Sequence, residues 1–206
     1  MKSIDLLKLE VKDKLKNDPA HDFEHIMRVY RNAQMICKHE KANEKLVLAA
    51  ALLHDIVSYP KSDKRSKNSS IESAKKSRQI LKKYDYSNSE IDIVYEAILT
   101  HSFSQNSVSD TMEGKILQDA DRLDALGAIG IARVFATGGS LGRVFYNSED
   151  PFCKKRNPED KIWTVDHFFQ KLFLLESKMN TKYGKIEAKR RTKILKKFLV
   201  DLQKEI

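Results

Sequence analysis

Along most of this chain apolar residues recur at the i, i+3, i+4 and i+7 spacing of a helix with one buried face, and the two-residue alternation of a strand is almost absent. The pattern predicts a helix over about 3–16, stopped by Asn17-Asp18-Pro19. A second, over about 22–40, carries Ile26, Val29, Tyr30, Ala33, Ile36 and Cys37 on one face. A third starts at Asn43 as N-cap and runs through KLVLAAALLHDI, apolar on nearly every side, so it is the expected central helix. Residues 57–68, VSYPKSDKRSKN, read as an exposed cationic loop. Ser69-x-x-Glu72 and Ser87-x-x-Glu90 have capping-box spacing and predict helices over about 70–84 and 88–102. Another helix is expected over about 113–136. Residues 138–163 hold three of the seven glycines and two of the four prolines, so they are expected to be irregular and suited to a lid or substrate loop. Amphipathic helices over about 165–180 and 185–205, parted by Thr181-Lys182-Tyr183-Gly184, complete an all-α helical bundle.

Composition narrows the class. With 206 residues, 41% hydrophobic and 33% charged, the chain has enough apolar material to fold, as one compact domain over 1–206. In that reading the chemistry-bearing core lies at about 20–125 and the C-terminal helices, about 165–205, pack on it. No apolar run is long enough to cross a bilayer, and MKSIDLLKLEVKDKLKNDP has acidic residues where a signal peptide needs its apolar centre, so a cytoplasmic location and no membrane partner are expected. Cys37 and Cys153 fall in no paired or zinc-binding spacing. Thirty-eight basic against 29 acidic residues give a net charge of +9, which raises the question of a polyanionic partner. The lysines are interleaved with acids along helix faces, without an aromatic-rich basic strand or a DNA-reading motif, which argues against nucleic acid. The remainder suit the mouth of a phosphate site. Monomer and homodimer both stay open.

Three clusters carry candidate chemistry. In His21-Asp-Phe-Glu-His25 two histidines lie four apart, on one helical face. His54-Asp55 ends the apolar helix, where an imidazole and a carboxylate are costly unless each has a partner, and a cation is such a partner. Asp119, Asp121 and Asp124 crowd one helix and repel each other unless a positive charge compensates at least one.

Together, His25, His54-Asp55 and Asp121 in an all-helical chain resemble the H…HD…D signature of the HD phosphohydrolase superfamily. DADRLDALGAIGIARVFATGGSLGR and MNTKYGKIEAKRR extend the likeness to a compact bacterial subgroup, over nearly the whole chain. The resemblance implies an HD-type bundle in which His25, His54, Asp55 and Asp121 hold a divalent metal that activates water against a phosphate ester or anhydride. Two imidazoles and two carboxylates suit a first-row transition metal rather than calcium. Manganese is the first expectation, with cobalt, nickel, iron, zinc or magnesium as alternatives.

The subgroup includes a nucleotide pyrophosphohydrolase, which implies a nucleoside triphosphate, NTP or dNTP, as substrate, with pyrophosphate as the leaving group. A phosphomonoesterase or cyclic-nucleotide phosphodiesterase on the same site is the alternative, and a non-catalytic nucleic-acid-binding module is the reading from another class. A further histidine in such enzymes suggests His101 as a phosphate contact or proton donor, while His21, four before His25, is a candidate to orient substrate or to cap its helix. Asp124, one turn after Asp121, is a candidate base, a partner to a metal ligand or an acceptor from an arginine. Ser58 stands where several HD nucleotidases have a glutamate (HDxxE), which argues against a 5′-monophosphatase, and there is no HD-GYP signature. Lys61, Lys64 and Arg65, with Arg143, are the cations expected to hold substrate phosphates.

Overall fold

A computed structural model describes residues 3–15, 23–59, 63–105 and 107–206. Contacts group the chain into two compact units, residues 1–121 with 180–184, and residues 122–179 with 185–206. The described residues are mostly helical, with one isolated bridge between Val144 and Trp163 in place of a sheet.

The first unit contains α1 (Ser3–Lys14), α2 (Phe23–Cys37), α3 (Glu44–Leu53), α4 (Ser69–Leu81), α5 (Asn88–Thr100) and α6 (Met112–Asp124) up to Asp121. As its sequence predicts, α3 is central: every residue from Leu46 to Leu53 is buried, against α1, α2 and α5. Each fully buried leucine or valine there contributes about 1.5–3 kcal/mol. This packing carries His54 and Asp55, which follow α3 directly, into the interior of the unit.

The two predicted capping boxes diverge. Ser87 caps α5 as expected: its Oγ accepts the Glu90 N–H and the Glu90 carboxylate accepts the Ser87 N–H at 2.8 Å. At the other, a 3-10 turn over Lys64–Asn68 runs straight into α4, so Ser69 is already helical and its N–H bonds to the Ser66 carbonyl. A cap needs an extended residue, which Ser69 is not. Glu72 instead accepts the Tyr59 hydroxyl at 2.6 Å.

The helix expected over 113–136 is two helices, α6 and, in the second unit, α7 (Gly127–Ser140). The Ala125 and Leu126 N–H groups bond three residues back, tightening the end of α6, and Gly127 has a φ of 75° that an L side chain rarely adopts. The stretch expected as a helix over 165–180 is a π turn over Phe168–Leu172, the short α8 (Phe173–Leu175) and a 3-10 turn over Glu176–Lys178. Phe168, Leu172, Leu175 and Met179 still face inward. Apolar spacing therefore foretold the buried face but not the hydrogen-bond register. The last helix, α9 (Lys182–Leu202), begins inside the expected separator, where Thr181 Oγ1 accepts the Gly184 N–H at 3.0 Å.

In the second unit Phe135 of α7 packs with Phe145, Phe168 and Phe198. Of residues 138–163, expected to be irregular, the first three end α7, while 141–163 are irregular yet held by specific bonds. Asp150 accepts the Lys154 and Lys155 N–H groups, while Arg156 stacks on Trp163 and donates to the fully buried Asp166 at 2.7 Å. Burial disfavours the Asp166 charge, but the Arg156 guanidinium and the Glu159 N–H outweigh it and hold the carboxyl below the usual range. A folded-state pKa below the unfolded one stabilises the fold above the unfolded value, near 3.9, and is lost as pH falls through the folded value. Asp166→Asn, which strands the Arg156 charge, should cost about 3–5 kcal/mol in urea unfolding at pH 7, with the gap to the parent narrowing near pH 3. An equal gap at both pH values would refute this account.

Candidate metal centre

Four side chains from separate parts of the first unit converge. His25 is the third residue of α2, His54 and Asp55 follow α3, and Asp121 lies in the last turn of α6. The Nε2 atoms of His25 and His54 are 3.4 Å apart. Asp121 Oδ1 is 3.7 Å from the first and 4.0 Å from the second, and Asp55 Oδ2 is 3.8 and 3.6 Å from them. A further histidine, His101, follows α5, with its Nε2 3.6 Å from Asp55 Oδ1. His25, His54 and His101 are buried, whereas the carboxylates of Asp55 and Asp121 keep 15% and 27% exposure, which leaves the cluster open to a ligand.

One local device aims two of the imidazoles. The last carbonyls of a helix lack intrahelical donors. His54 Nδ1 meets the Ala51 carbonyl at 2.9 Å and His101 Nδ1 meets that of Ile98 at 2.6 Å, each three residues back at a helix end. A carbonyl only accepts, so both Nδ1 atoms carry the proton and each Nε2 is turned into the cluster, as in metal-ligating histidines that donate their other N–H to the backbone.

The donor set fits a metal ion. The four atoms lie at or beyond hydrogen-bonding range, and two imidazole lone pairs that face each other repel unless a proton or a cation lies between them. An ion with bonds of about 2.1 Å separates neighbouring ligand atoms by about 3.0 Å at right angles and about 3.4 Å in a tetrahedron, close to the spacing found. Burial drives the His54 pKa down to about 4 although Asp55 pulls the other way, leaving a neutral imidazole available as a ligand. For Asp121 burial opposes ionisation, but His54, His25 and His101 outweigh it and hold the carboxyl below its ordinary value. His101 goes the other way: burial disfavours its charge, yet Asp55 and then Asp121 raise its pKa. His54, Asp55 and His101 form a second group whose ligand atoms could share an ion.

The three crowded aspartates find three different partners. Asp121 joins the cluster. Asp119 is fully buried and accepts from Asn180 and Thr181, and the buried Asp124 is bound by Arg133, which ties α6 to α7. Of the expected phosphate-binding cations, Arg65 pairs with Asp63 at 2.8 Å and stacks on Tyr59, Lys64 is exposed beside it, and Arg143 is half-buried in the second unit. Lys61 and His21 lie outside the described residues.

Known proteins resemble this chain over most of its length. The HD domain family matches residues 22–126. YpgQ of Bacillus subtilis (strain 168) is 32% identical over 191 residues, 91% of this chain and 85% of that protein. An HD-superfamily hydrolase from Bacillus thuringiensis superposes with a TM-score of 0.76 at 35% identity, covering 98% of this chain and 95% of that one. YpgQ solved in complex with ADP superposes with a TM-score of 0.76 at 30% identity, covering 100% and 95%. The chain belongs to the HD domain family and is an HD-superfamily hydrolase. Among the described residues no helix is long and apolar enough to cross a membrane.

Proposed function

We propose that this protein is a divalent-metal-dependent phosphohydrolase that cleaves nucleoside triphosphates, with pyrophosphate as leaving group and manganese as the preferred ion. The observation that carries the reading is the approach of the His25 and His54 Nε2 atoms to 3.4 Å of each other, with a carboxylate oxygen of Asp55 and one of Asp121 each 3.6–4.0 Å from both. An ion held by these four supplies Lewis acidity and lowers the pKa of a bound water.

The chain's own groups do the rest. Asp55 accepts on two sides: Oδ2 faces His25 and His54, while Oδ1 faces His101 and draws that imidazole toward its charged form. His101, oriented through Ile98, is placed to give a proton from Nε2 to a departing phosphate oxygen. Asp124 is bound by Arg133, so we assign it a structural role rather than that of a base. Arg65 is already matched by Asp63, so of the two expected phosphate-binding cations described in this loop, Lys64 is the one assigned to the distal phosphates. The ADP complex of a relative supports the nucleotide class. The leaving group rests on the likeness to the compact subgroup.

Metal-stripped protein resupplied with Mn, Co, Ni, Mg or Zn, and offered NTPs, dNTPs, monophosphates and cyclic nucleotides, tests this by chromatography of the products. Monophosphate and pyrophosphate from triphosphates, greatest with Mn, are expected. Turnover confined to monophosphates or cyclic nucleotides would move the protein to a monoesterase or diesterase, and no turnover of any phosphate compound would overturn the enzymatic reading.

A further inference from the structure

Side chains of α2 and backbone or side chains of α6 approach each other at two levels. At the metal centre, His25 Nε2 lies 3.7 Å from Asp121 Oδ1. Seven residues further along α2, Asn32 Nδ2 donates to the Ala120 carbonyl at 3.0 Å. Two turns separate His25 and Asn32, about 10.5 Å along the axis, so both project from one face. That carbonyl belongs to Ala120, the residue directly before Asp121, so the amide holds the peptide unit that joins the two.

The surroundings make this bond a choice of direction rather than of packing. Val29, Ala33 and Ile36, the neighbours of Asn32 on α2, are fully buried, and Asn32 itself is 9% exposed. A leucine or methionine would fill such a place without needing a partner, whereas a buried amide is costly unless its donor finds an acceptor in one particular position. A single buried polar group at an apolar helix interface is the means by which paired helices have their register set. Apolar packing tolerates small sliding or rotation between helices, but a coordination shell tolerates displacements of only a few tenths of an ångström. The Asn32 bond is a direct tie between α2 and α6 beside the cluster.

We infer that Asn32 is a positioning residue that locks the register of α2 on α6 and so sets the separation of His25 and Asp121 for metal binding. The inference rests on the metal-centre reading above. It assigns Asn32 no contact with ion or substrate.

The test measures metal affinity directly, by Mn(II) EPR of the free ion and by the Co(II) absorption spectrum of the loaded protein. Parent, Asn32→Leu, Asn32→Gln and, as a control, Ile36→Ala one turn further along α2 are compared, each with its metal-free melting temperature. Asn32→Leu should weaken Mn(II) binding about 10-fold or more and alter the Co(II) spectrum, in the range found when partners of metal ligands are removed. Asn32→Gln, which keeps an amide donor on a longer stem, should recover part of the loss. Ile36→Ala should lower the melting temperature with the dissociation constant unchanged. Parent-like affinity and spectrum in Asn32→Leu would overturn the inference, as would an equal affinity loss in Ile36→Ala. If Asn32→Leu does not fold, Asn32→Gln carries the comparison, and its parent-like affinity and spectrum would overturn the inference. Failure of the parent protein itself to bind any of these ions would instead refute the metal centre.

Discussion

Asp55→Ala should lower turnover at least roughly 10³-fold, equivalent to about 4 kcal/mol of lost transition-state stabilisation, while leaving the helical circular dichroism intact. Asp55 is the residue whose two oxygens serve two functions. Oδ2 stands 3.8 and 3.6 Å from His25 and His54, and Oδ1 stands 3.6 Å from His101. Removing it takes a ligand from the proposed ion and, at the same stroke, the group that favours a charged His101. The side chain keeps 15% exposure, so its loss opens less of the core than removal of a fully buried residue does. His54→Ala should lose metal as completely, but it also opens space in a fully buried position and so should melt at lower temperature. Metal content by elemental analysis and steady-state kinetics measure both effects. Near-parental activity in both variants would remove the cluster from the reaction.

The second large effect is on stability. Asp119→Ala should cost about 3–5 kcal/mol, since it strands donors that the buried carboxylate now satisfies. The donors are the Asn180 N–H at 2.9 Å and its Nδ2 at 3.1 Å, with the Thr181 N–H at 2.7 Å and its hydroxyl at 2.8 Å. All come from the chain some sixty residues downstream, so one carboxylate anchors the start of α9 to α6. Gly184 comes close enough to Asp119 that a side chain there would collide with it. For a chain of this length the loss corresponds to a fall in melting temperature of about 10 °C. A fall of about 2 °C or less in a calorimetric scan would show that the contacts are dispensable.

Asp119 and Asp121 also mark where reading the sequence stops. The charge crowding at 119, 121 and 124 was visible, and so was the need for compensation. Which acid would face the histidines came from the H…HD…D resemblance, because nothing in the spacing separates an acid bound by backbone N–H groups from one bound by imidazoles. Likewise the clash of a charged pair with the apolar helix before His54 announced a partner, but not the Ala51 and Ile98 carbonyls that turn two rings inward. Those carbonyls are nonetheless a local signal, since the last carbonyls of a helix lie close to a histidine just past its end.

By itself the sequence determined what depends on near neighbours. The all-helical class, the central place of α3 and the cap at Ser87–Glu90 follow from periodicity and from bonds spanning three or four residues. The tertiary structure alone decided what depends on partners far along the chain or on competition between local options. Asn32 and Ala120 lie 88 residues apart, and Asp119 and Thr181 lie 62 apart. Ser69 lost its cap to an incoming 3-10 turn, the helix through Asp124 broke at Gly127, and the stretch before Met179 kept its buried face while changing its turn size. In each case the apolar pattern is satisfied by more than one backbone path. The path taken is the one in which buried groups such as Asn32, Asp119 and Asp124 find partners once the helices are packed.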